Sequence, residues 1–487
     1  MGWMDDASRI PCPLRSAARL SPGAPALVGA GVSLAYGELD LKVSVSEARI
    51  RELGLGAGDR VALYLPKGEG YFVLLLALLR AGCVACLLST RLPATGAAPL
   101  PERTGCRALV STSEEALEAA TVRTLRPEEL LAGGAASSGS RSSEELWTYP
   151  GQPYTIVFTS GSAGAPKAAL HTFGNHYFSA AGSNANIPLE PGDRWLHSLP
   201  LYHVGGLSIL FRCLLSGATV ALPEPGARLG EAMAQSGTTH VSLVSTQLLR
   251  LLREEGFAGT ELRAILLGGG PMPASLVDEA HAHGLPIHTS YGLTEMASQV
   301  TTTPPGASRG ELRTSGRPLP HREVAVSGRG EILVRGETLF AGYVEGDSVR
   351  RPLDADGWFH TGDLGALDEN GYLGVRGRRD NLFVSGGENI QPEEIEEALS
   401  GLDGVQDAAV VPVPDLEFGA RPVAFVRAAE GAADQEILMR ALEKVLPRFK
   451  IPVAFYPWPD KAWGRSMKVN RSSLREHALR LHPGRRS

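Results

Sequence analysis

Tyr154-Thr155-Ile156-Val157-Phe158-Thr159-Ser160-Gly161-Ser162-Ala163-Gly164-Ala165-Pro166-Lys167 runs an apolar strand straight into a loop of hydroxyls and glycines that ends on a cation. Glycine lets a backbone approach an anion closely with its N–H groups turned inward. Thr159, Ser160 and Ser162 add hydroxyl donors around Gly161, Ala163 and Gly164, and Lys167 adds positive charge. Such a loop suits a polyphosphate. A Walker A loop requires Gly directly before its Lys and Ser or Thr after it; Pro166 and Ala168 stand there instead, which argues against a kinase or GTPase. Taken alone, the same composition also describes a Gly/Ser surface turn.

Outward from this loop, helical patterns alternate with continuous apolar strands, which predicts an α/β fold with parallel sheets covered on both faces. On the N-terminal side, strands and a helix start are expected over 24–40. A buried strand is expected over 59–65 after the turn at 54–58, a buried helix running into a strand over 71–88, and a strand over 108–111 after a Pro/Gly-rich link at 93–105. The Gly/Ser-rich run 133–143 reads as a flexible loop that closes a first lobe. From 154 a second lobe is expected, with strands at 196–199, 219–222, 240–244 and 264–267. Between about 310 and 377 short runs punctuated by Gly and Asn-Gly predict a small antiparallel β subdomain. After Arg378 an independent α+β pattern begins, with helices at 393–399 and 434–446 and strands at 408–413 and 423–427. The predicted architecture is a large N-terminal domain, residues 1–378, of two parallel-sheet α/β lobes and a small β subdomain. A smaller α+β C-terminal domain, 379–487, follows on a hinge.

With 487 residues, several cores are expected. A formal net charge of -6 gives no electrostatic case for nucleic acid. The apolar stretch 71–88 is interrupted by Arg80 and Gly82, so no membrane span is expected. Met1 to Asp6 lacks the features of a secretory leader, so a cytoplasmic location is expected. Cys83 and Cys86 have redox spacing but read as core cysteines. His281 and His283, two apart on a helix, point in different directions and read as no metal site.

Several further segments fall in loops after strands, where open α/β folds collect ligands. His203 stands beside Gly205 and Gly206; Gly268-Gly269-Gly270 follows a strand; Ser290-Tyr291-Gly292-Leu293-Thr294-Glu295 combines an aromatic, hydroxyls and a carboxylate. Thr361-Gly362-Asp363 offers a carboxylate suited to a ribose diol, and Gly377-Arg378-Arg379-Asp380 precedes Ser385-Gly386-Gly387-Glu388-Asn389-Ile390. In isolation Glu295 and Asp363 also read as caps or solvated carboxylates.

In order and spacing these motifs resemble the adenylate-forming enzymes, a family that includes acyl-CoA synthetases, luciferases and adenylation domains. The resemblance spans about 24 to 475 and rests on five motifs in the family's order. The wording of 167–176, 380–394 and 417–423 is similar to the branch of that family acting on 2-succinylbenzoate. What the resemblance implies is an acid:CoA ligase that uses ATP, Mg²⁺ and CoA. Thr159, Ser160, Gly161, Ser162, Ala163, Gly164 and Lys167 would hold phosphates, with Ala163 lacking the hydroxyl of the Thr usual there. Gly269, Gly270, Ser290, Tyr291, Gly292 and Thr294 would frame the nucleotide, with Tyr291 stacked on adenine. Asp363 and Arg378 would hold the ribose and Glu295 would meet the metal. Lys468, in Arg465-Ser466-Met467-Lys468-Val469-Asn470-Arg471, takes the family's catalytic lysine position. Gly464 and Met467 depart from the family's usual wording before it. Asp380 takes the hinge position, and His203 would act in the acyl pocket and the catalytic site.

Arg212 ends an apolar helical stretch, 205–211, where a guanidinium is costly unless it meets an anion. It is expected to face the second, unreacting carboxylate of 2-succinylbenzoate; a structural ion pair with a protein carboxylate is the alternative. The other functional readings are the same chemistry on another aryl or fatty acid, the loading of a carrier protein, and a non-catalytic nucleotide-binding protein. A homodimer is a compatible assembly.

Overall fold

Continuous runs of β-branched and aliphatic residues become central strands because only a sheet covered on both faces buries both sides of such a run. The computed structural model describes residues 9–131, 146–159, 166–254, 257, 261–386, 388–428, 434–459 and 471–481. The predicted flexible loop at 133–143 lies outside them.

Two large sheets carry the N-terminal part. In the first, Arg123–Leu125, Cys106–Ser111, Arg60–Tyr64, Val84–Leu87 and Pro153–Thr159 lie parallel. Lys167–Thr172, Gly342–Glu345 and Ser348–Arg350 then extend this sheet antiparallel. In the second, Pro25–Gly29, Thr219–Ala221, Arg194–Leu196, His240–Leu243, Ala264–Leu267 and Ile287–Leu293 are parallel. Val32–Ala35 closes one edge of it antiparallel, and Ser298–Thr302 and Arg317–Pro318 close the other.

The chain therefore does not finish one lobe before beginning the next. Pro25–Gly29, expected in the first lobe, pairs with Thr219–Ala221 in the second sheet. Pro153–Thr159, expected to open the second lobe, pairs with Val84–Leu87 in the first. An apolar strand fits the interior of either sheet, so its local composition does not specify its partner.

The helix Glu69–Ala81 is buried almost all round and ends on Gly82 at φ 78, a left-handed conformation that glycine adopts without strain. It runs directly into Val84–Leu87, as its sequence predicts. Cys83 and Cys86 are both buried free thiols. The link at 93–105 is not irregular: it holds two short helices, Ala94–Ala97 and Leu100–Arg103. Proline favours a first helical turn, and Pro101 sits in one.

The small β subdomain is a four-stranded antiparallel sheet of Arg322–Val326, Glu331–Gly336, Phe359–Leu367 and Leu373–Arg378. Beyond Asp380 the chain forms an α+β unit. Val405–Asp415, Gly419–Ala428 and Phe455–Pro457 make its sheet, and Pro392–Ser400, Gln435–Leu442 and Arg471–Leu481 are its helices. This unit has apolar clusters of its own, around Ile395, Val410 and Leu442 on one side and Val411, Phe425 and Leu474 on the other. No helix among the described residues is long and apolar enough to cross a membrane.

Candidate active site

The phosphate-loop candidate connects two neighbouring antiparallel strands that form a hairpin. Thr159 ends one strand, Lys167 begins the next, and the two are cross-strand partners. Ser160, Gly161, Ser162, Ala163 and Gly164 lie outside the described residues. At the foot of the hairpin the Lys167 ammonium sits 5.3 Å from the centroid of the Tyr343 ring. The Tyr343 hydroxyl donates to Glu295 Oε1 at 2.6 Å. Burial, then the Glu295 charge, raises the Tyr343 pKa well above its ordinary value and keeps it a donor. The loop's base and the Glu295 carboxylate are thus joined through one phenol.

Glu295 lies in the single turn Thr294–Met296, which follows the strand Ile287–Leu293 of the second sheet. First-lobe elements hold that turn: His171 Nε2 bonds the Thr294 carbonyl at 2.7 Å, and the Phe340 amide donates to the Glu295 carbonyl at 2.8 Å. Directly after it, Ala297 and Ser298 take positive φ values of 53° and 132°, rare for residues with a Cβ. Gly292 accommodates this reversal, because a Cβ there would lie 2.2 Å from the Ser298 carbonyl oxygen. Gly269, in the turn after Ala264–Leu267, also has φ 82, and Gly270 follows it in open space.

Tyr291, Asp363 and Arg378 meet. The buried Tyr291 hydroxyl donates to Asp363 Oδ2 at 2.6 Å, and Arg378 Nη1 donates to Asp363 Oδ1 at 2.9 Å and to the Thr361 carbonyl at 2.8 Å. The register of the two strands places Asp363 opposite Arg378. The carboxylate is thereby fixed from both sides. Asp380 follows at once, with its carboxylate 3.8 Å from Arg378 Nη2.

Arg212 lies in the helix Val204–Ser216 and is 1% exposed. Its Nη2 donates to Gln299 Oε1 at 2.7 Å and lies 3.5 Å from Ser298 Oγ, and its guanidinium rests 4.8 Å from the Trp195 ring centroid. Among the described residues no carboxylate pairs with it, and its Nε and Nη1 have no hydrogen-bond partner there. Burial lowers its pKa to about 9, which leaves it charged at neutral pH. His203, just before this helix, is exposed and has its ring 4.9 Å from that of Tyr202.

Beneath the helix lies a layer of buried imidazoles. His176 stacks on Phe211 and bonds Thr155 Oγ1 at 2.7 Å, and the His171 ring centroid is 5.2 Å from that of His176. Burial pushes His171 down to about 4 and His197 to about 3, and holds His176 well below its usual value. These rings are neutral when folded and become charged in the unfolded chain near pH 6.5. Between that pH and their depressed values the unfolded chain binds more protons, so stability is lost as pH falls. The urea midpoint should drop from pH 7 to pH 5 by the equivalent of about 1.4 kcal/mol per pH unit for each imidazole. A midpoint that stays level over that range contradicts this picture.

Lys468 lies outside the described residues. Arg471, three positions later, does not: its guanidinium bonds both oxygens of the buried Glu396, at 2.6 and 2.7 Å, and the Val410 carbonyl at 2.7 Å. Tyr343, Gln299 and Trp195 were not foreseen from sequence. Tyr343 and Trp195 carry no local cue. Gln299 does, since Ser298-Gln299-Val300-Thr301-Thr302-Thr303 is unusually polar for a strand that proves to be buried.

With this geometry in hand, residues 14–344 match the family model described as AMP-binding enzyme, and residues 394–466 match that of the AMP-binding enzyme C-terminal domain. The 2-succinylbenzoate–CoA ligase of Bacillus licheniformis is 33% identical over 457 residues, covering 91% of this chain and 95% of that relative. Among solved structures, the o-succinylbenzoate CoA synthetase of Bacillus subtilis in complex with the acyl-adenylate intermediate OSB-AMP superimposes with a TM-score of 0.87. It has 31% identity and covers 96% of this chain and 98% of that one. The same enzyme in complex with ATP and magnesium ion gives a TM-score of 0.86, with 31% identity and coverage of 96% and 100%. Matched in this way over most of its length, the chain is a member of the AMP-binding enzyme family.

Proposed function

We propose that this chain is an ATP-dependent ligase that activates 2-succinylbenzoate as its acyl-adenylate and passes the acyl group to coenzyme A. In the first step a carboxylate oxygen attacks the α-phosphorus of ATP and pyrophosphate leaves. In the second, the CoA thiol, losing its proton, attacks the acyl carbon and AMP leaves. Neither step needs a nucleophile from the protein. Positioning and charge neutralisation are what the chain must supply.

Tyr291 offers a ring for adenine, and Asp363, fixed by Tyr291 and Arg378, offers its oxygens to the ribose. The Thr159–Lys167 hairpin offers donors to the phosphates. Glu295 is a hard oxygen donor beside that hairpin and is the residue suited to hold Mg²⁺, which when bound neutralises phosphate charge. Lys468 is assigned to the phosphorus-centred transition state. Asp380 is assigned as the pivot on which residues 379–487 exchange the Lys468 face for the face that admits CoA. His203 is assigned to the rim of the acyl pocket. The activity is placed in the cytoplasm, where ATP and CoA are available.

The single observation that carries the choice of acid is Arg212: a buried, charged guanidinium with no carboxylate partner among the described residues. A substrate bearing a second carboxylate supplies that partner. Pyrophosphate exchange and CoA-dependent AMP release, each measured with 2-succinylbenzoate, benzoate and a fatty acid, test the reading. Activity should be highest with the first, with benzoate turned over only weakly. Arg212→Met should raise KM for 2-succinylbenzoate about 10- to 100-fold, the worth of a charged hydrogen bond, and leave that for ATP within about twofold. Equal losses for both substrates count against the assignment.

A further inference from the structure

We propose that Gln299 sets the preference for a dianionic acid, by holding Arg212 with a neutral acceptor so that the guanidinium keeps its charge for the substrate. This rests on the reading of Arg212 given above. Gln299 is buried beside the reversal at Ala297 and Ser298, on the strand Ser298–Thr302. Its Oε1 accepts from Arg212 Nη2 at 2.7 Å, and its Nε2 donates to Thr302 Oγ1 at 2.7 Å. The amide has only one possible orientation. Arg212 is donor-only, so the oxygen must face it. The amide nitrogen then needs an acceptor, which Thr302 provides. The Thr302 hydroxyl in turn lies 2.7 Å from the Thr301 carbonyl and 3.1 Å from Ser290 Oγ, so its own proton has a destination.

The backbone of Gln299 is held as well, since its carbonyl accepts from Arg322 Nη1. Arg322 is a second buried cation, and its remaining partners are the carbonyls of Pro320, Phe178 and Ser179. The region therefore concentrates positive charge and satisfies it with neutral oxygens. Glutamine is what this arrangement requires: an amide fills one N–H of Arg212 without cancelling its charge. A glutamate of the same length would form an ion pair with Arg212 inside the protein and leave nothing for a ligand carboxylate. The line Arg212, Gln299, Thr302, Ser290 also ends next to Tyr291, so the acyl-end charge is held by the strand pair that positions the adenine ring.

The test compares Gln299→Glu and Gln299→Met with the parent and with Arg212→Met, using KM for 2-succinylbenzoate, for benzoate and for ATP. Gln299→Glu should raise KM for 2-succinylbenzoate about 10- to 100-fold while changing those for ATP and benzoate less than about twofold. Gln299→Met, similar in size but uncharged, should raise it only several-fold. A glutamate variant with unchanged KM for 2-succinylbenzoate, one that raises all three alike, or a methionine effect as large as the glutamate effect would overturn the proposal. If the glutamate variant does not fold, the methionine variant decides by the split between its 2-succinylbenzoate and ATP values, equal changes overturning the proposal. If Arg212→Met raises KM and Gln299→Glu does not, only the role of Gln299 falls. If neither changes it, the reading of Arg212 falls too.

Discussion

Replacing Lys468 by alanine should abolish adenylate formation and spare thioester formation from a supplied acyl-adenylate. The first step places extra negative charge on the oxygens around phosphorus, and a fixed cation there is worth about 10²- to 10³-fold in rate. The second step expels AMP and creates no such demand. Pyrophosphate exchange should therefore fall by at least that factor, while CoA-dependent AMP release from added adenylate should stay within about threefold of the parent, far less than that factor. Arg471, three positions after this lysine, is clamped on Glu396 of the C-terminal unit. Loss of both half-reactions would contradict the exchange of faces about Asp380.

The second large effect is expected at that clamp. Arg471→Met should cost about 3–5 kcal/mol of stability, because it strands Glu396 in the interior with no cation. Glu396 lies on the buried face of the helix Pro392–Ser400, and burial already raises its pKa despite the opposing pull of Arg471. Without the arginine the value should climb further, and the folded state then binds a proton that the unfolded chain at neutral pH does not. The deficit should therefore be greatest at neutral pH and shrink as pH falls towards the ordinary glutamate range. Denaturant melts at about pH 7.5 and about pH 5.5, on either side of the expected window, measure it. Adding Glu396→Gln to Arg471→Met should recover most of the loss. A deficit that is independent of pH and not recovered by the second substitution would assign Arg471 to packing instead.

Glu69–Ala81 and Val84–Leu87 were legible because their patterns are local: a long apolar run, a glycine at the helix end, then a short strand. The helix Pro392–Ser400 was legible from Pro392 and the acidic first turn. The short helices at 94–97 and 100–103 lie in what reads as a Pro/Gly-rich link, and one of its prolines, Pro101, occupies a helix start. Phe359–Leu367, a central strand of the small sheet, went unseen because Thr361-Gly362-Asp363 interrupts its apolar pattern. That interruption carries Asp363, which Tyr291 and Arg378 hold.

The amino-acid order by itself determined the long apolar helix and most of the buried strands, the hydroxyl- and glycine-rich loop, an aromatic and carboxylate motif near 291 with a second carboxylate at 363, and the cost of placing Arg212 in an apolar helix. These follow from composition and from periods of two and 3.6 residues, which act over a few positions. Only the tertiary structure decided that Pro25–Gly29 and Pro153–Thr159 each join the sheet of the other lobe, that Tyr343 links Lys167 to Glu295, and that Arg212 is met by an amide and an indole in place of a carboxylate. Those are contacts between residues 17 to 194 positions apart or brought together by strand register. Neither a strand's choice of neighbour nor the charge state of a buried group's surroundings is written in the residues beside it.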